Sequence, residues 1–197
     1  MLEFLQSLPS PIAQGMIWGI MAIGVYITYK ILDLADLTVD GSFATGGAVL
    51  VVLTTAGVNI YLALAAAFLA GCLAGLATGI FHTKFGIPAI LAGILTQLAL
   101  YSLNLRIMSG RANVPISWRN YSLIVSSKSD VLPRTIAVCT IFIVALIGIL
   151  YWFFGTELGF SIRATGCNQA MARANGINTD SRKTMGLVIS NGIVALS

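Results

Sequence analysis

Long apolar runs separated by short polar segments are the main pattern of this chain. Four runs approach the roughly 20 residues that a helix needs to cross a bilayer; they cover residues 12–32, 61–81, 91–105 and 135–154. The third run is the shortest and begins near Pro88. The pattern predicts an all-α, polytopic transmembrane helix bundle in which these four runs are spanning helices.

Two further apolar runs are too short to cross a bilayer as helices. Residues 43–55 contain Gly46 and Gly47, and they predict a re-entrant or broken helix. Residues 185–197 begin another apolar helix and reach the last residue of the sequence. We therefore expect a single transmembrane domain over residues 1–197 that is truncated at its C-terminus.

The composition agrees with a membrane architecture. The 197 residues are 57% hydrophobic and 9% charged, whereas about a quarter of the residues in soluble domains are charged. The net charge of +4 is spread along the chain, without the basic tract that is typical of nucleic-acid binding. The three cysteines have neither metal-ligand nor disulfide spacing, and we expect no metal site.

Charges in the loops give a mixed indication of sidedness. The short basic loop 82–84 favours the cytoplasm, and alternation of the spans then puts residues 109–134 outside and residues 159–183 inside. The basic residues within 109–134 oppose this assignment, because cytoplasmic loops are usually the basic ones. If residues 43–55 are re-entrant, the acidic segment 33–40 lies outside and the N-terminus inside.

Small residues recur at intervals of four along two of the predicted spans. Residues four apart share a helix face, and small side chains on that face allow another helix to approach closely. These residues are Ala67, Gly71, Gly75 and Gly79 on the second span and Gly15 and Gly19 on the first. We expect both rows to be helix-packing surfaces.

The segment "DLADLTVDGS", residues 33–42, places three carboxylates at a membrane edge. Such groups are costly there unless they reach water or polar partners. The alternation of Asp36, Thr38 and Asp40 with apolar residues predicts an extended piece, and residues 40–42 predict a cap for the following half-helix. A solvated loop and a solute pathway are both consistent with this pattern.

Polar residues inside the spans extend the set of candidates. Thr96, Gln97 and Asn104 lie in the third span, where such groups either form hydrogen bonds across helices or line a pathway. The candidate pathway-lining residues are Asp36, Thr38, Asp40, Ser42, Gln97 and Asn104.

A long polar segment, "GFSIRATGCNQAMARANGIN", covers residues 159–178. Its composition predicts a turn at 166–168 with Asn168 as a capping residue, a short helix at 169–175, and a helix-ending glycine at Gly176. The residues that follow offer an N-cap for the next helix. A helix of this kind either docks in a groove of another protein or rests on the lipid surface.

Enzymatic motifs are missing from the sequence. The chain has no G-x-x-x-x-G-K-[ST] phosphate loop and no Ser/His/Asp arrangement, and its only histidine is His82. We therefore expect no catalytic residue and no cofactor in this chain.

Residues 159–190 resemble the cytoplasmic coupling loop of ABC importer permeases of the branched-chain amino acid and ribose type. The matching residues are Arg163, Ala164, Gly166, Asn168, Ala170, Ala172, Ala174, Gly176, Ile177 and Asn178. Cys167 departs from the pattern, since charged or polar residues are common there. Residues 15–49 are similar to the family as well, and "DLTVDGSF" most resembles its tryptophan-type amino-acid subgroup.

The resemblance implies an importer permease subunit in a bacterial inner membrane, surrounded by lipid. Its solute would be a small one, an aromatic or branched-chain amino acid. The resemblance also implies a second permease copy, a separate ATPase subunit that binds ATP and Mg²⁺, and an extracytoplasmic solute-binding protein. The implied ATPase-docking residues are Arg163, Gly166, Asn168, Gln169, Ala170, Ala172, Arg173 and Gly176.

A stand-alone secondary transporter or channel is the alternative function. Such a protein would couple transport to ions through ionisable groups inside its spans, and the predicted spans carry almost none. A non-transporting membrane scaffold is a third possibility, which the interrupted helix and the small-residue packing make less attractive.

Overall fold

The computed structural model describes residues 9–111 and 132–197, which form eight α-helices. They are α1 (Pro9–Tyr26), continued by a π-helical turn (Ile27–Ile31), α2 (Val39–Thr55), α3 (Ile60–Thr83), α4 (Ala89–Ile107), α5 (Leu132–Phe154), α6 (Glu157–Cys167), α7 (Gln169–Ala174) and α8 (Thr179–Val194). Four helices, α1 with its π-turn, α3, α4 and α5, are long and apolar enough to cross a membrane. The predicted all-α bundle with four spans is therefore confirmed.

The glycine row of α3 forms the tight contact at the centre of the bundle. Gly71 and Gly75 lie against backbone atoms of α8, and Gly79 lies against Thr184. Since Leu187 faces Gly75, the numbering of the two helices runs in opposite directions and α8 is antiparallel to α3. The prediction that this row is a helix-packing surface is confirmed, and its partner is α8.

The glycines of the first span do not pack in the same way. No atom of the described chain lies within 4 Å of a Cβ built at Gly15 or Gly19. α1 instead contacts α8 at Gly24, where Val194 and the carbonyl oxygen of Ser190 are close, and the Ser190 hydroxyl donates a 2.7 Å hydrogen bond to the Gly24 carbonyl. At about 100° per residue, Gly15 and Gly19 point to nearly the opposite side of α1. The expected packing role of these two glycines is wrong within the described chain.

The chain turns back between α1 and α2, and α2 crosses the bundle in the direction opposite to α1. Leu32 packs against Gly186 of α8, and the backbone of Leu37 lies beside Gly93 near the start of α4. Residues 33–38 form neither helix nor strand. α2 then runs parallel to α4 toward the opposite end of the bundle, since Leu37 faces Gly93 and Gly41 faces Gln97. Residues 43–55 therefore belong to one continuous helix, Val39–Thr55, which ends at the opposite end of the bundle, so this run is neither re-entrant nor broken within itself.

This crossing corrects the expected placement of the acidic segment. Gly166 of α6 packs against the carbonyl of Ile31, so residues 33–40 and the α6–α7 region lie at the same end of the bundle. The turn at 56–59 lies at the other end. If residues 159–183 are cytoplasmic, the acidic segment starts on the cytoplasmic side and α1 starts outside, the reverse of the expectation for a re-entrant segment.

The long polar stretch at residues 109–134 was expected to lie outside, at the end opposite to residues 159–183. Residues 112–131 lie outside the described residues, so that expectation stays a prediction. Residues 109–111 follow α4 directly and lie at the end opposite to α6 and α7.

Candidate functional site

A buried polar cluster lies at the break between α1 and α2. We call it the break cluster, and its members are Asp36, Thr38, Ser42, Thr78 and Asn191. The Asp36 carboxylate accepts a hydrogen bond from the Thr38 amide at 2.8 Å and another from Asn191 Nδ2 at 2.7 Å. Ser42 Oγ donates to Asn191 Oδ1 at 2.6 Å, and the hydroxyls of Thr38 and Thr78 are 2.7 Å apart. The cluster therefore joins the non-helical segment 33–38, α2, α3 and α8.

The cluster lies inside the bundle rather than at its surface. Thr38, Ser42 and Asn191 have no exposed side-chain surface, and Thr78 is buried as well. Asp36 is half-buried, and within the described ranges no lysine or arginine forms an ion pair with it. Since a buried polar group without a partner costs about 1–3 kcal/mol, these mutual hydrogen bonds explain how the chain tolerates a carboxylate and an amide at this depth.

The start of α2 differs from the predicted cap. Asp40 is exposed in the first turn of the helix, and Gly41 and Ser42 are already helical. The residue before α2 is Thr38, whose hydroxyl contacts Thr78 and makes no capping bond. Asp36 accepts the Thr38 amide instead. The cap predicted at residues 40–42 is therefore wrong, because the helix begins one turn earlier than its apolar run.

Of the three polar residues of α4 that the sequence singled out, only one lies next to α2. Gln97 is half-buried and packs against Gly41 of α2. Asn104 is buried, and its Oδ1 has no hydrogen-bond partner in the described chain. Thr96 donates to the carbonyl of Ala92 in its own helix at 2.9 Å. Gln97 is thus adjacent to α2, whereas among the described residues neither Thr96 nor Asn104 forms a hydrogen bond across helices.

Asn191 is the member of the cluster that sequence analysis missed. It contributes the amide that connects Asp36 to Ser42, and it also donates to the Leu187 carbonyl at 3.0 Å. An asparagine within the last apolar run was the available signal, because polar residues in such runs usually face a partner. The hydrogen bonds link positions 149 and 155 residues apart, a pairing that the sequence alone does not contain.

The second candidate region is the pair of short helices at the α6 end of the bundle. Asn168 accepts a 3.0 Å hydrogen bond from the Met171 amide and caps α7, as predicted. Gly176 has a positive φ of 78° just after α7, and Asn178 caps α8 by accepting from the Ser181 amide at 3.1 Å. The predicted short helix, its glycine stop and the following cap are all confirmed.

The turn predicted at residues 166–168 is wrong. Residues 157–167 form α6, and its first turn is capped by Thr156, whose hydroxyl accepts from the Gly159 amide at 3.4 Å. Gly159 and Gly166 lie against backbone atoms of α5 and of the π-turn. These two close contacts hold a helix where the local sequence favours a turn.

Most of the predicted docking residues form an exposed surface on α6 and α7, which we call the α6–α7 surface. Its members are Arg163, Asn168, Gln169, Ala170, Arg173 and Gly176. Two predicted residues do not belong to it. Ala172 is only 3% exposed, and Gly166 is covered by the carbonyl of Ile31. These two residues lie on the inner faces of α6 and α7, and the docking role of the whole set stays a prediction.

A shallow groove adjoins the α6–α7 surface. It has a volume of about 480 Å³ and lies between α6 and the start of α8, with Phe160, Ile177 and Arg182 among its walls. Phe160 and the nearby Met171 are more than half exposed. An exposed surface with apolar side chains and basic residues is typical of a protein-contact surface.

The described residues show no arrangement for metal or covalent chemistry. Across residues 9–111 and 132–197, no group of three or more His, Cys, Asp and Glu side chains could hold a metal ion. The cysteines in these ranges are unpaired. The two regions can form hydrogen bonds, bind charged groups and contact another protein.

Four helices long and apolar enough to cross a membrane, with a buried polar cluster among the helices, define a multi-pass membrane protein. Residues 9–197 match the family model described as "Branched-chain amino acid transport system / permease component". The chain belongs to this permease family, and the resemblance identified from the sequence is confirmed.

Two relatives extend the comparison. The chain is 43% identical over 188 residues to a "Tyrosine transport system permease protein" of Clostridioides difficile, covering 95% of this chain and 61% of the relative. It is 32% identical over 184 residues to "Uncharacterized protein RP368" of Rickettsia prowazekii, covering 93% and 63% respectively. The chain thus spans about three-fifths of the length of these relatives. No solved structure matches it significantly.

Proposed function

We propose that the chain is part of the permease subunit of an ATP-binding-cassette importer for an amino acid, located in a bacterial inner membrane. Membership of the branched-chain amino acid permease family carries this proposal. The buried polar cluster supports it, because polar groups at membrane depth commonly line a solute pathway. The protein is then a transporter subunit rather than an enzyme.

The energy source lies in a partner in this proposal. An ATPase subunit binds ATP and Mg²⁺ and docks on the α6–α7 surface, while an extracytoplasmic solute-binding protein delivers the solute at the opposite end. A second copy of the permease completes the pathway. The exposed Arg163, Ala170 and Arg173, next to the exposed Met171, support docking because they present a basic and apolar surface outside the bundle.

The solute is an amino acid with an aromatic or branched side chain. The similarity to a permease named for tyrosine transport supports the aromatic class, and the family description supports the branched-chain class. Asp36 is suited to a cationic amino group, since it is half-buried and has no ion-pair partner in the described ranges. We place the solute near the break cluster on these grounds.

Introduction of a bulky charged side chain on the exposed face of α7 tests ATPase docking. Ala170 is exposed in the middle of the α6–α7 surface, so Ala170→Arg places a large unpaired cation in the contact. We expect at least about a tenfold loss of ATPase affinity, measured by co-purification and by titration of the ATPase against the permease in detergent.

Ala56→Arg is the matched control, because Ala56 is an exposed alanine at the opposite end of the bundle. It is expected to retain the ATPase fully. Equal ATPase binding by Ala170→Arg and the wild type would contradict docking on α7, and failure of the wild type to bind any ATPase would contradict the proposed function. Ala172→Arg is unsuitable as a test, because Ala172 is buried and its replacement disturbs the packing of α7.

A further inference from the structure

Asn191 occupies a position that connects three separate segments of the chain. Its side chain is wholly buried, and both the oxygen and the nitrogen of its side-chain amide form hydrogen bonds. Oδ1 accepts from Ser42 of α2, and Nδ2 donates to Asp36 of the non-helical segment 33–38 and to Leu187 of its own helix. Any movement of α8 relative to the break must either carry Asp36 and Ser42 along or break these hydrogen bonds of the buried Ser42 and Asn191 side chains.

The other end of α8 is tied to α7. Arg173 Nε donates to the Thr179 hydroxyl at 2.7 Å, and Arg173 Nη2 donates to Asp180 at 3.1 Å. Thr179 and Asp180 form the first turn of α8. The α6–α7 surface is therefore bonded directly to the helix that carries Asn191.

Between its two ends α8 is held as a rigid element. It packs against the glycine row of α3 so closely that backbone meets backbone at Gly71 and Gly75. Helices in such contact move as units, because packed cores shift between discrete arrangements instead of deforming continuously. A displacement applied at Thr179 is thus delivered to Asn191, about 18 Å further along the helix axis at 1.5 Å per residue.

We propose that Asn191 is a positioning residue that transmits movement of the α6–α7 surface, through α8, to the polar cluster at the helix break. This inference rests on the proposed function. Docking and release of the ATPase at α7 shift α8, and the Asn191 amide moves Asp36 and the start of α2 together. The coupling has a contiguous physical basis: the Arg173 contacts, the body of α8 and the three hydrogen bonds of Asn191.

The test measures how many ATP molecules are hydrolysed for each amino acid imported. The complete importer is reconstituted in proteoliposomes, with labelled tyrosine and leucine as probes, and wild type is compared with Asn191→Ala. If Asn191 transmits the movement, the ratio of ATP hydrolysed to solute imported rises by about tenfold. A purely structural role would lower both rates in proportion and leave the ratio unchanged.

Ser190→Ala is the matched control. Ser190 is the neighbouring residue of α8, is equally buried, and donates its hydrogen bond to α1 instead of the break cluster. Its loss is expected to leave the ratio at the wild-type value. If Asn191→Ala does not assemble, Ser42→Ala removes one of the same bonds with a smaller change, and a rise in its ratio is still expected.

The outcomes separate the two proposals. A wild-type complex that imports with ATP, together with an unchanged ratio in the Asn191 or Ser42 variant, overturns the transmitting role and leaves the proposed function standing. An equal rise in Ser190→Ala also overturns it, since general loosening of α8 would then explain the effect. Absence of ATP-driven import by the wild-type complex overturns both proposals.

Discussion

The absence of a Cβ atom at the glycines of α3 sets the distance between α3 and α8. A side chain at Gly75 would occupy the space taken by the Leu187 backbone, and one at Gly71 would meet α8 in the same way. Close approach of this kind gains van der Waals contact and favours helix association in a membrane, where the hydrophobic effect does not act between helices. The glycine row therefore stabilises the contact through which α8 is held.

Gly75→Ala is expected to destabilise the fold even though alanine favours helices. The added Cβ overlaps backbone atoms of α8, and overpacking of this kind typically costs about 1–3 kcal/mol. Gly19→Ala is the control, because nothing lies within 4 Å of its Cβ position and alanine gains up to about 1 kcal/mol of helix propensity. Thermal unfolding in detergent should give a lower Tm for Gly75→Ala and an equal or higher Tm for Gly19→Ala. The reverse order would contradict the packing described here.

The break cluster shows the limit of sequence analysis at this scale. Asp36, Thr38 and Ser42 were identified because polar groups beside a membrane must find partners. Their actual partners, Thr78 and Asn191, lie on other helices and were not singled out from the sequence. The need for partners is a local property, whereas their identity depends on how α3 and α8 pack against α2.

The stability of helix α7 comes mainly from contacts at its two ends. It has only six residues, far fewer than the about 12–15 that an isolated helix needs in water. Asn168 satisfies an amide at its start, and Arg173 ties its last turn to α8. Buried Ala172 anchors its middle.

Asn168→Ala is expected to loosen α7 selectively. Loss of an N-cap typically costs about 1 kcal/mol, which is enough to unfold such a short helix part of the time. Hydrogen exchange should show roughly fivefold faster exchange of the α7 amides, with α3 and α4 unchanged. Gln169→Ala alters the next exposed side chain, which makes no hydrogen bond in the described chain, and should leave exchange unchanged. Equal protection of α7 in Asn168→Ala and the wild type would show that the cap is not needed.

The two short helices differ in how well the sequence predicts them. The caps and glycine stop of α7 and α8 are local signals, and they were read correctly. α6 was missed because glycine and β-branched residues in residues 157–167 disfavour a helix. Packing of Gly159 and Gly166 against other backbone segments outweighs that local preference. Such long-range contacts do not appear in the spacing of residues.

The described helices give the bundle two distinct ends. The end of α1, the start of α4 and the α6–α7 surface share one end of the bundle. The turn at residues 56–59 lies at the other end. The sequence predicted the spans from apolar length alone. The direction of α2 could be assigned only from the contacts of Leu32 and Leu37.

Cysteine labelling tests this polarity. In a background with Cys72 and Cys139 replaced by alanine, the exposed Cys167 and an introduced Lys30→Cys should react with a membrane-impermeant maleimide from the same side. Asn59→Cys should react from the opposite side only. Labelling of Lys30→Cys and Cys167 from different sides would contradict the arrangement.

The central claim is that this permease is driven by ATP through a partner subunit. The most direct measurement is uptake of labelled tyrosine and leucine into vesicles that contain the complete permease with its ATPase and solute-binding protein. The account predicts uptake that requires ATP and the binding protein and that persists when proton and sodium gradients are abolished. Uptake by the permease alone, driven by an ion gradient and indifferent to ATP, would contradict it.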